Sequence, residues 1–321
     1  MQKTIQWLAV LLGVQLLLAL GVGFSDSALS GSQQGGGALL SFDKTAIDRI
    51  TLEGPEHDKL VLVNKDGRWR LPEAGDFPAD NERVTQLLDR LAGLTRGDVV
   101  AASRSAHERF KVGDAHFERR ITLAEGDTPQ ATLYLGSSPA LRRLHARRQG
   151  DDAVHIVELA LFDLPLRVSD WQDKALLTLP PTEIAAIDLD GLRIERSQQD
   201  ASWTARPLPE GMRVNSDAAA RLVRQLADLR FDAVLGQEAK PEYGLKTPLL
   251  QLKLIRRDGT SVDYLLGQAA DQEAYTLKVS SHPEYFRIPN WSAQELLAAA
   301  RREALLEAAA ADTSESADRS Q

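Results

Sequence analysis

The chain has 321 residues, 43% of them hydrophobic and 26% charged, which is enough apolar content for two ordinary globular cores and excludes a wholly disordered chain. A formal net charge of −8 excludes a polyanion-binding protein as a whole, because nucleic-acid binding depends on cations that neutralise phosphates. The absence of cysteine excludes disulfides, thiolate metal sites, cysteine nucleophiles and a lipid-modified N-terminal cysteine.

Residues 5–24, IQWLAVLLGVQLLLALGVGF, carry no charge. At ~1.5 Å per helical residue they reach about 30 Å, the thickness of a bilayer core. Lys3 precedes them, and no cation follows Phe24 before Lys44, so the positive-inside rule keeps the N-terminus cytoplasmic and exports the rest. Small residues at Gly21, Gly23 and Ser25 also fit a signal-peptidase cut, but a signal core runs only ~7–15 apolar residues. The retained anchor is therefore the preferred reading. Residues 25–40, with the run GSQQGGG, are expected to be a flexible linker.

Beyond the linker the sequence is similar to itself. KLVLVNKDGRWRL (residues 59–71) answers LRIERSQQDASWTARPL (residues 192–208), each a hairpin whose returning strand holds a tryptophan, Trp69 or Trp203. DNERVTQLLDRLAGL (residues 80–94) aligns without a gap on NSDAAARLVRQLADL (residues 215–229). Both have apolar residues at helical spacing, with Asp80 or Asn215 placed to cap the first turn. HERFKV (residues 107–112) then matches PEYGLK (residues 241–246). Two alternating strands follow in each copy and end at Gly136 or Gly267. A further strand pair comes next, and VSDWQDKALL (residues 168–177) matches IPNWSAQELL (residues 288–297), expected to be a short closing helix. In the second copy that helix is expected to run to about Ala311, before a polar tail.

The N-terminal span, the short linker, LVLVNKDGRWRL, PADNERVTQLLDRLAGL and the YLLG strand end together resemble an uncharacterised family, domain of unknown function 4340. The resemblance implies an exported, membrane-tethered companion of an ABC transport system similar to the gliding-motility type. It supplies no catalytic residues to carry over.

Candidate sites are sparse. Ser41 to Lys44 formally match S-x-x-K but sit at a strand edge rather than a helix start. His107 and Glu108 open an H-E-x-x-H pattern that Lys111 breaks, while His145 and His155 lie on neighbouring strands with no histidine at the matching positions of the other copy. Asp188-Leu189-Asp190-Gly191 reads as a hairpin turn rather than the start of a calcium loop. Trp69 and Trp203 are expected to share a core role. Arg142, Arg143, Arg147 and Arg148 form the densest positive cluster, able to grip a phosphate or an acidic partner if their side chains converge. Against that stands a solvated strand face, ion-paired with Asp151 and Asp152. Phosphate-cradling glycine loops, nucleophile elbows and dinucleotide fingerprints are absent from the sequence.

The expected architecture is α+β: an N-terminal transmembrane helix (residues 1–24), the linker, and a tandem duplication of a mostly antiparallel β module with one covering amphipathic helix per copy (residues 41–178 and 179–311). A disordered tail, residues 312–321, closes the chain. The expected protein is a non-enzymatic, single-pass inner-membrane component with its bulk extracytoplasmic. It would contact the bilayer and ABC-type permease or ATPase subunits, and would need no cofactor, no metal and no nucleic acid. The alternative is a ligand-binding module for an envelope polymer or an anionic lipid.

Overall fold

The computed structural model describes residues 36–197, 202–268 and 274–309. The expected span at residues 5–24 and the tail lie outside the described residues. Among the described residues no helix is long and apolar enough to cross a membrane. The chain divides into two compact units between Gln172 and Asp173.

In unit 1, β1 (Arg49–Glu53), β2 (Lys59–Lys65), β3 (Arg68–Leu71) and β4 (Phe77–Pro78) lead into helix α1 (Asn81–Ala92). After it come β5 (Val99–Ala101), α2 (Arg104–Phe110), β6 (Arg119–Glu125), β7 (Thr128–Leu135), β8 (Leu144–Arg148) and β9 (Val154–Val157). They form one nine-stranded antiparallel sheet in the order β4-β3-β2-β1-β6-β7-β8-β9-β5. Strand period two explains which face is apolar. Ile50 pairs with Leu62 and Leu123, and Leu52 with Leu60 and Ile121, so three strands stack their branched side chains on one face.

Helix α1 covers that face with Val84, Leu87, Leu88 and Leu91, all buried in the same core cluster. Each such side chain contributes roughly 1.5–3 kcal/mol on burial. The helix starts where Asp80 Oδ1 accepts from the Arg83 amide at 3.0 Å. The Asp66-Gly67 turn between β2 and β3 has both residues at positive φ (54° and 79°), the two-residue turn that matches strand twist.

Unit 2 contains β10 (Ile184–Leu189), β11 (Leu192–Arg196), β12 (Trp203–Arg206), β13 (Met212–Val214), α3 (Ser216–Ala227), β14 (Ala233–Gly236), β15 (Leu250–Arg256), β16 (Ser261–Gln268), β17 (Tyr275–Val279) and β18 (Tyr285–Ile288). Helices α4 (Asn290–Ala299) and α5 (Arg302–Leu305) and strand β19 (Leu306–Ala308) close it. Its main sheet runs β12-β11-β10-β15-β16-β17-β18-β14, while β13 pairs with β19 in a separate ribbon. Helix α3 buries Leu222, Val223 and Leu226 and is capped by Asn215, whose Oδ1 accepts from the Ala218 amide at 3.0 Å.

Both expected caps thus act as caps. The Asp190-Gly191 pair is a two-residue turn at φ 48° and 70°, the hairpin expected there.

The closing helices differ from expectation. Unit 1 has only a 3-10 turn at Val168–Asp170 before Trp171. In unit 2 the helix stops at Ala299 instead of continuing to Ala311. Chain direction changes at Arg301, which is extended, and Leu306 to Ala308 pair with Val214 to Met212. Leu305 and Leu306 are buried, and Arg213 pairs with Glu307 at 2.8 Å. Strand pairing plus leucine burial outweighs the few tenths of a kcal/mol per residue by which alanine favours helix.

Gly136, just after β7, and Gly267, next to last in β16, are glycine for one physical reason. A Cβ on Gly136 would lie 1.9 Å from the Phe110 carbonyl oxygen, and one on Gly267 would lie 2.7 Å from that of Tyr243. In each unit a backbone segment that turns through a left-handed residue, Lys111 (φ 56°) or Gly244 (φ 66°), crosses the strand end there. This aligns Phe110 with Tyr243 and Lys111 with Gly244, one residue away from the sequence match of residues 107–112 with 241–246.

Candidate functional site

The four clustered arginines separate on folding. Arg142 and Arg143 precede β8, and Arg147 and Arg148 end it, about 13 Å further along an extended strand. Arg147 turns inward and is only 4% exposed. Its Nε donates to the Val112 carbonyl at 2.7 Å, one terminal nitrogen to the Asp151 carbonyl at 3.2 Å and the other to Asp114 Oδ1 at 2.5 Å. The guanidinium also stacks 4.5 Å from the Tyr134 ring. Its hydrogen bond holds the Asp114 carboxyl below the usual carboxylate range, against a smaller opposing effect of burial.

Arg147 is thereby an internal clamp on the α2–β6 connection, and strand alternation puts Arg148 on the opposite, exposed side. Arg142 has a left-handed φ of 55° and lies 5.7 Å from the Phe162 ring, while Arg143 stands 3.9 Å from the Glu158 carboxylate.

What the fold gathers instead is Arg143 with Arg90 and Arg96, around an open cavity of about 700 Å³. Arg90 sits in the last turn of α1 and pairs with Asp163 at 2.5 Å. Asp163 is itself fixed, accepting from the Ala160 amide at 3.1 Å. Arg96 follows the helix, its amide bonded to the Gly37 carbonyl at 2.9 Å. Asp98 and Glu158 complete the charged rim. Gly97 is required on this wall, since a Cβ there would lie 2.5 Å from the Ile156 carbonyl oxygen. Arg90 and Arg96 belong to no local run of positive charge, because the loop after α1 and the approach to β8 meet only in the folded sheet. The one local signal was a cation in the last turn of a helix, where the helix dipole favours it.

The histidines are tied to the backbone. His145 pairs in register with Ile156, and His155 with Ala146, so the two rings point to opposite faces of the sheet. His145 Nδ1 donates to the Ser137 carbonyl at 2.9 Å, His155 Nδ1 to that of Gly97 at 3.0 Å, and His107 Nε2 to that of Asp152 at 2.9 Å. Among the described residues, no three His, Asp or Glu side chains converge as metal ligands would.

In the S-x-x-K segment, Lys44 pairs with Asp89, and the Asp43 carboxylate accepts from the Thr45 hydroxyl at 2.7 Å. Ser41 is exposed. Trp69 is buried in the unit 1 core, whereas Trp203 is half-buried beside Arg196. A shared core role for the two tryptophans therefore holds for Trp69 alone.

Unit 2 has an open cavity of about 830 Å³. Asp188, Asp190 and Asp263 face Lys253, Arg301 and Arg302 around it. Lys253 lies 3.7 Å from Asp263.

Fold and surface define an antiparallel α+β protein of two sheet units, each with a capped helix and an ion-paired exterior. The chain belongs to the family described as Domain of unknown function (DUF4340), whose model matches residues 69–248, more than half its length. No curated protein and no solved structure matches the chain.

Proposed function

We propose that the chain is a membrane-anchored, extracytoplasmic scaffold built from two copies of one α+β module, acting as a non-enzymatic auxiliary of an ABC-type transport system. The observation that carries the two-copy reading is the strand order. With β4 and β13 set aside, β3-β2-β1-β6-β7-β8-β9-β5 and β12-β11-β10-β15-β16-β17-β18-β14 correspond strand for strand. The capped helix falls at the same point of each series. Anchoring is supported by the uncharged residues 5–24 and the cation asymmetry around them.

The scaffold role is supported by what the charged side chains do. Arg147 with Asp114, Arg120 with Glu53, Arg90 with Asp163 and Arg287 with Asp232 hold parts of the fold to one another. Among the described residues, Asp43, Glu53, Asp114 and Asp258 have carboxyls held below their ordinary range, by hydrogen bonds from Thr45, Arg120, Arg147 and Thr260 respectively. Carboxylates kept ionised in this way are poor general acids near neutral pH. The edge strand β5 exposes Val99 and Val100, a surface on which a partner strand could pair.

The transport-system partner comes from the family resemblance. Affinity purification of the full chain from gently solubilised membranes should co-recover permease and ATPase subunits in constant ratio. Purification that yields the chain repeatedly without any transporter subunit would overturn the assignment.

A further inference from the structure

The expected span ends at Phe24 and the described chain begins at Gly36, so about eleven residues join them. At ~3.3–3.6 Å per residue that is no more than ~40 Å of chain. Their point of entry into unit 1 is fixed. Leu39 N donates to the Leu94 carbonyl at 2.8 Å and Arg96 N to the Gly37 carbonyl at 2.9 Å, with Ala38 bridged to Thr95. Gly36 consequently lines the same cavity as Arg90, Arg96 and Arg143.

Two exposed apolar side chains stand next to these arginines, Leu141 two residues before Arg143 and Phe162 one before Asp163, the partner of Arg90. Leu141 is 89% exposed and Phe162 62% exposed, values that bury neither side chain against its own fold. Phe162 is tied to the arginines: Arg142 stacks on it, and Asp163, the next residue, holds Arg90. Neither Arg96 nor Arg142 has an ion-pair partner among the described residues, and Arg143 meets only the 86%-exposed Glu158 at 3.9 Å. On a chain of net charge −8, this is a local concentration of uncommitted guanidinium groups.

Guanidinium binds phosphate oxygens bidentately, and exposed leucine and phenylalanine side chains gain by entering the boundary between headgroups and acyl chains. We propose that this corner of unit 1 seats on the anionic phospholipid surface of the membrane that anchors the chain. Arg96, Arg142 and Arg143 contact headgroup phosphates there, and Leu141 and Phe162 dip into the interface. The proposal rests on residues 5–24 being a retained anchor, and adds to it a defined orientation of unit 1. Tethering at Gly36 keeps the effective concentration of lipid at the patch high, so weak contacts suffice.

The absence of cysteine makes a single-site label clean. The full chain carrying Leu141→Cys, labelled with a polarity-sensitive fluorophore, is reconstituted in vesicles of phosphatidylcholine alone or mixed in equal parts with phosphatidylglycerol. The control label is at Asp127→Cys, in the turn at the far end of β7, ~26 Å along that eight-residue strand. In the mixed vesicles the label at position 141 should shift to the blue and be quenched by nitroxide-bearing lipids, while the label at 127 stays aqueous.

Replacing Arg96, Arg142 and Arg143 by alanine should lower the docked-to-undocked ratio about fivefold per arginine, roughly 100-fold together. The blue shift should then disappear. A label at 141 that remains aqueous while the chain floats with the vesicles and resists alkaline extraction overturns the docking and leaves the anchor standing. A chain that fails to float overturns the anchor and the docking with it. A blue shift that survives the triple replacement overturns the phosphate contacts. One that needs co-reconstituted membrane proteins gives the patch to a polypeptide partner and overturns the lipid assignment.

Discussion

In unit 1 the chain leaving β9 passes through short 3-10 turns and buries Trp171 completely, whereas in unit 2 the chain leaving β18 runs through α4 and α5 and buries Leu305. The backbone does the same thing at both ends. Asp80 N donates to the Trp171 carbonyl at 2.8 Å, and Asn215 N to the Leu305 carbonyl at 2.9 Å. The next residues pair likewise, Ala79 with Gln172 and Val214 with Leu306. Trp171 therefore corresponds to Leu305. Trp291, its match by sequence, sits at the start of α4 and is 66% exposed. A main-chain clasp on the helix cap is common to the units, and the side chain that fills the space behind it is free to vary.

The sharpest way to break this comparison is to truncate both tryptophans. Trp171→Ala should cost about 3–5 kcal/mol, because it removes a fully buried indole. The lost indole N–H donates to the Pro165 carbonyl at 2.9 Å and its ring faces Arg83. Trp291→Ala should stay within about 0.5 kcal/mol. Urea unfolding measures both, and equal costs would restore the sequence pairing.

Next come the glycines. Gly136→Ala and Gly267→Ala should each cost about 1–3 kcal/mol, with Gly136 the worse because its clash with backbone is closer. A large loss at only one of them would mean that the strand crossing is not a common device. Removing the caps, Asp80→Ala and Asn215→Ala, should cost about 1 kcal/mol each.

The smallest effect is at a pair that joins β1 to β6. Glu53 accepts from Arg120 Nε at 2.6 Å and from a terminal nitrogen at 2.7 Å. Glu53→Gln should cost up to about 1 kcal/mol at neutral pH. Arg120 holds the Glu53 carboxyl below its ordinary value of 4.5, so protonation favours the unfolded chain. The pair contributes fully above that ordinary value and is lost as pH falls through the lower folded one. The gap between wild type and Glu53→Gln should accordingly close in acid, which thermal melts across pH would detect.

Helices α1 and α3, their caps and the Asp-Gly turns were legible because their signals are local: period 3.6, a short acceptor before the first turn, and residues that tolerate positive φ. The short strands β4, β5 and β14 were not, since two to four residues hold no readable alternation and form only by pairing with a distant edge. The end of α4 was hidden by alanines whose helical preference is overridden by β13 across the chain. The arginine cluster divides on folding because density along the sequence says nothing of side. Period two sends Arg147 inward and Arg148 outward, while Arg90 and Arg96 reach Arg143 only through tertiary structure.

The clasp also sets an order of assembly. Ala79 waits for Gln172, and Val214 for Leu306, each about 90 residues later. At roughly 5–20 residues per second of synthesis, each latching residue is made roughly 5–20 s after the one it pairs with. Gln172, the last partner that the unit 1 clasp needs, precedes Ile184, the first residue of β10, by 12 residues. Every residue that latches unit 1 is therefore synthesised before the first strand of unit 2 has begun.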